Sequence, residues 1–265
     1  QEGINVDELK KKLKELDRQK EEILLENSYP KDYLKIHYHC DICKDTGFVN
    51  TQICRCRKKL IIEKKYSQSN ISRLVQRENF RTFNANLYSK NLYKDYPISP
   101  YENIIRIQND AKMYVENFSK NYKNLYIFGD VGRGKTFLIN SIAKEILDRN
   151  YSVIYLTATK LFSFMNDYLY AFSERKEELK ERYDLIFESD LLIIDDLGSE
   201  NDRNSNETNL FEIVNDRMIN KKPIIFSSNY SEDELMEFYG DRIFSRIIGS
   251  SDVMEIFGED LRLLF

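Results

Sequence analysis

Residues 129–136 read GDVGRGKT, and no other feature constrains this chain as tightly. Gly129, Gly132 and Gly134 carry no side chains, so successive peptide N–H groups can turn inward and cradle phosphate oxygens. Asp130, Val131 and Arg133 fill the rest of the loop. The run Asn124-Leu125-Tyr126-Ile127-Phe128 has the composition of a strand, and residues 137–147, beginning at Phe137, have helical periodicity. Strand, loop and helix in that order place the cradle at a helix N-terminus, where the dipole favours negative charge. Lys135 is then expected to reach the β and γ phosphates of a nucleotide, and the Thr136 hydroxyl to ligate Mg²⁺.

A second run, Leu191-Leu192-Ile193-Ile194, is apolar throughout, as a parallel strand covered on both faces should be, and ends in Asp195-Asp196. Asp195 is expected to hold Mg²⁺ through water, and Asp196 to orient or deprotonate the water that attacks the γ-phosphate. A plain strand-end turn with Gly198 is the alternative reading of the same residues. Pro223-Ile224-Ile225-Phe226-Ser227-Ser228-Asn229 reads as a further buried strand whose tip, Asn229, can contact the attacking water or the γ-phosphate. In residues 241–248, Arg242 and Arg246 are four apart and share a helix face. Such an arginine either stabilises transition-state charge across a subunit boundary or lies on a solvated face. A guanine-reading motif is excluded, because Asn220-Lys221-Lys222-Pro223 has Pro where the Asp would stand. The paired carboxylates and the Asn-tipped strand also argue against a small-molecule kinase.

The ordered set GDVGRGKT, LLIIDDLG, FSSN, DRIFSRI resembles the bacterial DnaC and DnaI helicase loaders and the IstB-like ATPases, AAA+ proteins close to the initiator DnaA. The resemblance runs from about residue 77 to the end of the sequence. It implies an α/β AAA+ P-loop NTPase fold with a parallel five-stranded sheet flanked by helices and no C-terminal lid. It implies ATP hydrolysis with Asn229 as sensor 1 and Arg246 as a finger acting in trans, hence self-association. It further implies that residues 160–183 form the helical insertion used against single-stranded DNA, and that the partner is a hexameric replicative DNA helicase. An accessory ATPase of DNA transposition shares every one of these motifs, and the N-terminal third distinguishes the two readings. Phe137 departs from the family, which often has His there. A nucleotide-sensing arginine from a lid is either absent or supplied by Arg262, which otherwise reads as a surface residue. A last strand is expected over residues 253–257.

Residues 1–76 are expected to be a separate helicase-docking or regulatory module, and 77–265 the ATPase domain. All four cysteines fall in Cys40-x2-Cys43-x10-Cys54-x-Cys56, two close pairs around a Gly-containing hairpin, which is the pattern of a Zn²⁺ site. Cys54 and Cys56 would point to opposite faces of a strand, so they share one ion only if the backbone turns there. The other readings of the same residues are a mixed site with His37 or His39, the chain's only histidines, and unmetallated thiols. Upstream, Val6, Leu9, Leu13, Leu16, Lys20 and Ile23 follow 3-4 spacing, giving either a helix packed on its own unit or a docking helix.

Residues 1–80 hold 17 basic and 13 acidic residues against 23 and 31 in the remainder, so the overall net charge of −4 gives no footprint for tight duplex binding. The local run Arg55, Arg57, Lys58, Lys59, Lys64, Lys65 is either a solvated helix face or a weak contact for a single strand. Residues 84–101, rich in Tyr, either wall the adenine pocket or are plain core. No secretory signal, repeat or membrane-length apolar stretch is found, and a cytoplasmic protein without disulfides is the expectation.

Overall fold

A computed structural model describes residues 6–65, 71–120, 122–200 and 203–264. Val6 at the head of the heptad seam and Lys65 at the end of the basic run lie outside the described side chains. The chain forms two compact units, residues 1–46 and 47–265.

The first unit opens with α1 (Val6–Glu26), the helix expected from the heptad spacing. Its seam residues Leu9, Leu13, Leu16 and Ile23 are 49–61% exposed, and it is Leu24, off the seam, that is buried. The unit closes on a tight turn. The Asp45 carboxylate accepts the N–H groups of His39 and Cys40 (3.0 and 2.9 Å), while the Cys43 carbonyl accepts both the N–H and the hydroxyl of Thr46.

The second unit begins with an antiparallel pair, β1 (Phe48–Val49) and β2 (Gln52–Ile53), followed by α2 (Arg55–Lys65), α3 (Ile71–Arg77) and α4 (Pro100–Glu116). Ser99 and Glu102 cap α4 reciprocally, with Pro100 in its first turn. Then come β3 (Asn124–Phe128), α5 (Lys135–Asp148), β4 (Val153–Thr157), α6 (Ala158–Leu169), α7 (Ser173–Glu188), β5 (Leu191–Leu197), α8 (Arg203–Ile219), β6 (Ile224–Ser228), α9 (Glu232–Gly249) and β7 (Ser251–Glu255). Strands β3 to β7 make one parallel sheet in the order β4-β5-β6-β3-β7. The expected five-stranded parallel sheet is therefore present.

Strand alternation explains the two layers. Leu191 and Ile193 of β5, with Leu125, Ile127 and Ile225, face α4 and α5. Leu192 and Ile194, with Tyr126, Ile154 and Phe226, face α6, α7, α8 and α9. Because successive strand residues alternate, every second position of a central strand belongs to the α5 side, a rule that governs the site below. The last strand differs from the expectation: it occupies Ser251–Glu255, pairing Ser251 with Asn124, and not residues 253–257. At this sheet edge only Met254 is buried within the strand, so the polar Ser251 and Asp252 start it, while Ile256 and Phe257 lie buried beyond its end.

Four cations of the basic run, Arg55, Arg57, Lys58 and Lys59, are engaged within the chain. Lys58 Nζ donates to the carbonyl of Glu188 at the end of α7 (2.6 Å), and Lys59 Nζ to that of Leu147 near the end of α5 (2.7 Å). Cations at helix C-termini satisfy orphan carbonyls and the negative end of the dipole. Arg55 lies over the Tyr151 ring and Arg57 over that of Phe48, and Ile62 is buried in the core. Arg217 of α8 does similar work deeper inside. Fully buried, it donates to the carbonyls of Ile186, Phe187, Ser189 and Pro223 and to the Ser189 hydroxyl, joining the end of α7 to the start of β6.

Candidate functional site

A cavity of about 670 Å³ opens at the C-terminal end of the sheet, between the GDVGRGKT loop and the segment that precedes α4. Its walls include Gly132 to Phe137, Asp196, Asn229, Thr82, Phe83, Tyr88 and Arg262. The loop has the conformation that its glycines permit. Gly134 sits at φ 92°, where a Cβ would meet the Tyr88 hydroxyl at 2.4 Å; at Gly132, φ 79°, one would meet the Asp260 carboxylate. Helix α5 starts directly after Gly134 with no side-chain cap, leaving its first N–H groups to a ligand. An uncapped helix start behind a cradle that admits no side chain fits a bound polyphosphate.

The sequence-derived residues converge here. Lys135 is buried, and its ammonium donates to the carbonyls of Gly129 (2.6 Å) and Asp130 (3.0 Å) and to Asn229 Oδ1 (2.7 Å). Burial pushes its pKa down, opposed by the charges of Asp196 and Asp195. Asp195 follows Leu191 and Ile193 on the α5 side of β5, so its carboxylate meets the Thr136 hydroxyl at 3.4 Å. Asp196, one position on, has φ 56° and is exposed to the cavity. Partial burial, and then the neighbouring Asp195 charge, raise its pKa. Asp130 and Val131 complete the loop, with Asp130 paired to Arg133 at 3.3 Å.

Arg246 is not brought to this cavity. It stands on α9 in the opposite layer, beyond a kink at Gly240 (φ 76°, ψ 166°), a conformation open essentially to glycine alone. Arg262 does line the cavity, held by paired hydrogen bonds to Asp260 (3.0 and 3.1 Å), and the neighbouring Leu261 N–H donates to the Gly132 carbonyl (3.0 Å). Of residues 84–101, Asn84, Leu87 and Tyr88 wall the cavity, and Tyr88 donates to the Arg133 carbonyl (2.8 Å). Glu78, Thr82 and Phe83 lie just ahead of that expected segment and join the same wall.

Sequence reasoning missed two further groups. The hydroxyls of Tyr155 and Ser227 both donate to the Asp195 carboxylate. Both sit on strands flanking β5, Tyr155 two residues before the Thr157 that pairs with Asp195, and Ser227 two after the Ile225 that faces α5. Counting in twos along β4 and β6 from the α5 side would have found them.

In the first unit Cys40 and Cys43 are both buried, and in the second Cys54 is buried and Cys56 half-buried. The geometric objection to Cys54 and Cys56 is removed: β2 ends at Ile53 and α2 starts at Arg55, so the backbone turns between them. Within the first unit His37 lies near Asp32 (3.8 Å) and His39 near Asp45 (3.5 Å). Among the described residues, no helix is long and apolar enough to cross a membrane.

Comparison with known proteins agrees with this geometry. The bacterial DnaA ATPase domain matches residues 102–250. The chain is 27% identical over 184 residues to the replicative helicase loader DnaC of Escherichia coli strain K12, covering 68% of this chain and 74% of DnaC. It is 24% identical over 247 residues to the replicative helicase loader DnaI of Bacillus subtilis, covering 86% of this chain and 76% of DnaI. The solved structure of the replication initiator DnaA bound to AMPPCP and single-stranded DNA superposes with a TM-score of 0.50 at 28% identity, over 57% of this chain and 45% of that one, so the chain spans less than half of that DnaA. Matched over more than half its length by this domain, the chain belongs to the bacterial DnaA ATPase-domain family, as an AAA+ protein of the DnaC/DnaI type.

Proposed function

We propose that the chain is an ATP-dependent loader of a replicative DNA helicase. The observation that carries this reading is the meeting of Lys135, Thr136, Asp195, Asp196 and Asn229 at one sheet end, on a chain related to two proteins named as loaders. ATP would lie with its phosphates on the N–H groups of residues 129–136 and its base against the wall of residues 78–88. Thr136 and Asp195 would hold Mg²⁺, which supplies charge neutralisation on the phosphoryl oxygens. The Tyr155 and Ser227 hydroxyls fix the Asp195 carboxylate. Asp196 accepts the proton of the attacking water, a role that its raised pKa favours. Asn229 orients that water, and Lys135 draws charge from the γ-phosphate. Arg246, turned away from its own cavity, serves the site of a second copy.

Residues 1–76 act as the docking and regulatory part and 77–265 as the ATPase, at work in the cytoplasm. The α6–α7 junction leaves Tyr170 77% and Phe172 90% exposed, aromatic faces suited to stacking on the bases of a single strand. The four thiols bind one Zn²⁺ as thiolates.

Light scattering after size exclusion, on the full chain mixed with the replicative helicase of its own cell, tests the reading. With ATP, a mass equal to a helicase hexamer plus several copies of the chain is expected; no complex with or without ATP would shift the assignment to a transposition accessory ATPase. Asp196→Asn is expected to bind ATP normally and to lose turnover by about 10²-fold. Unchanged steady-state hydrolysis would place the base elsewhere. Metal analysis should find one zinc per chain, lost in Cys40→Ser; a metal-free chain after purification from zinc-containing medium would leave the cysteines as plain thiols.

A further inference from the structure

Arg242 and Arg246 share one support. Both rise from the part of α9 that follows Gly240, and both guanidinium groups lie against the ring of Phe211 in α8, at 3.7 and 4.6 Å from its centroid. The ring itself is half-buried, packed on the core beneath α8 and α9. Among the described residues neither arginine has a carboxylate within ion-pair distance, although acidic side chains pair with Arg18, Arg133 and Arg262. Arg246 is half-exposed, and its carbonyl is tied by the Ser250 hydroxyl at 2.5 Å.

This combination has a physical use. A long flexible side chain must be ordered before it can act on a reacting group, and ordering it at that moment costs entropy. A carboxylate partner would order Arg246 but also neutralise it. An aromatic face orders it through the ring quadrupole and leaves its charge and its N–H donors facing outward. With Arg242 on the same ring, the local charge stays positive, with no ion-pair partner among the described residues.

We propose that Phe211 is a positioning residue for the trans-acting arginine: its ring holds the Arg246 guanidinium ready for the triphosphate bound by a second copy of the chain. The inference rests on the finger reading given above, and its test separates the two.

The experiment compares Phe211→Leu, Phe211→Tyr and Arg246→Ala in the full chain, reading kcat, ATP affinity by fluorescent-nucleotide titration, and melting temperature. Phe211→Leu keeps apolar volume but removes the ring face. It is expected to lower kcat about tenfold, with ATP affinity and melting temperature near those of the parent, whereas Phe211→Tyr retains turnover. Added Lys135→Ala chains, whose own site is dead but whose Phe211–Arg246 pair is intact, should restore turnover to Phe211→Leu. Parental kcat in Phe211→Leu beside a slow Arg246→Ala would overturn the platform and leave the finger standing. A loss shared equally by Leu and Tyr, or a loss that mixing does not rescue, would make Phe211 merely structural. Parental kcat in Arg246→Ala would overturn both.

Discussion

Lys135→Ala is expected to abolish measurable ATP binding, weakening it by at least about 100-fold in a fluorescent-nucleotide titration. The ammonium is placed at the mouth of the loop by three hydrogen bonds. Its burial, which depresses its pKa, means that a triphosphate arriving there replaces lost hydration with direct contact. The substitution also strips Asn229 of its partner, so the residue assigned to the attacking water loses its anchor at the same time. A variant that binds ATP with parental affinity would remove the phosphate-binding role from this loop.

The second large effect is on stability. Arg217→Met keeps roughly the volume of the side chain but leaves the acceptors on residues 186, 187, 189 and 223 without their donor, in a place from which water is excluded. At about 1–3 kcal/mol for each buried acceptor left unmade, partly relieved by relaxation, a loss on the order of 3 kcal/mol or more is expected. For a unit of this size that is a fall in melting temperature of about 10 °C. Burial pulls the guanidinium pKa down to about 9, still above neutrality, so the group enters the fold as a cation at pH 7. A melting temperature within two degrees of the parent, read by calorimetry on the full chain, would show that the carbonyls find other donors.

These two residues also mark how far the site and fold could be read from the amino-acid order. Lys135 stands in a pattern whose spacing is dictated by phosphate geometry, and the apolar strands around it are recognisable because a central parallel strand is covered on both faces. Arg217 offers no such signal. A single arginine near the end of an amphipathic helix looks like any basic residue at a helix C-terminus, and only the packing of α7 and β6 around it decides that it is buried. The edge strand was displaced by two residues for a related reason, since edge positions need not be apolar. Tyr155 and Ser227 lie between these extremes: alternation along β4 and β6 assigns them to the α5 side once the neighbouring strands are known, but sheet order is a tertiary fact.

The helix that begins beside the last cysteine has a bearing on how this chain would hold a nucleic acid. Two of its cations, Lys58 and Lys59, already donate to helix-end carbonyls of the same chain, so they are counted in the net charge yet are poorly placed to displace the counterions condensed on a polyanion. A single strand received by Tyr170 and Phe172 would be held mainly by stacking, and a plot of log affinity against log salt concentration would fall with a shallow slope.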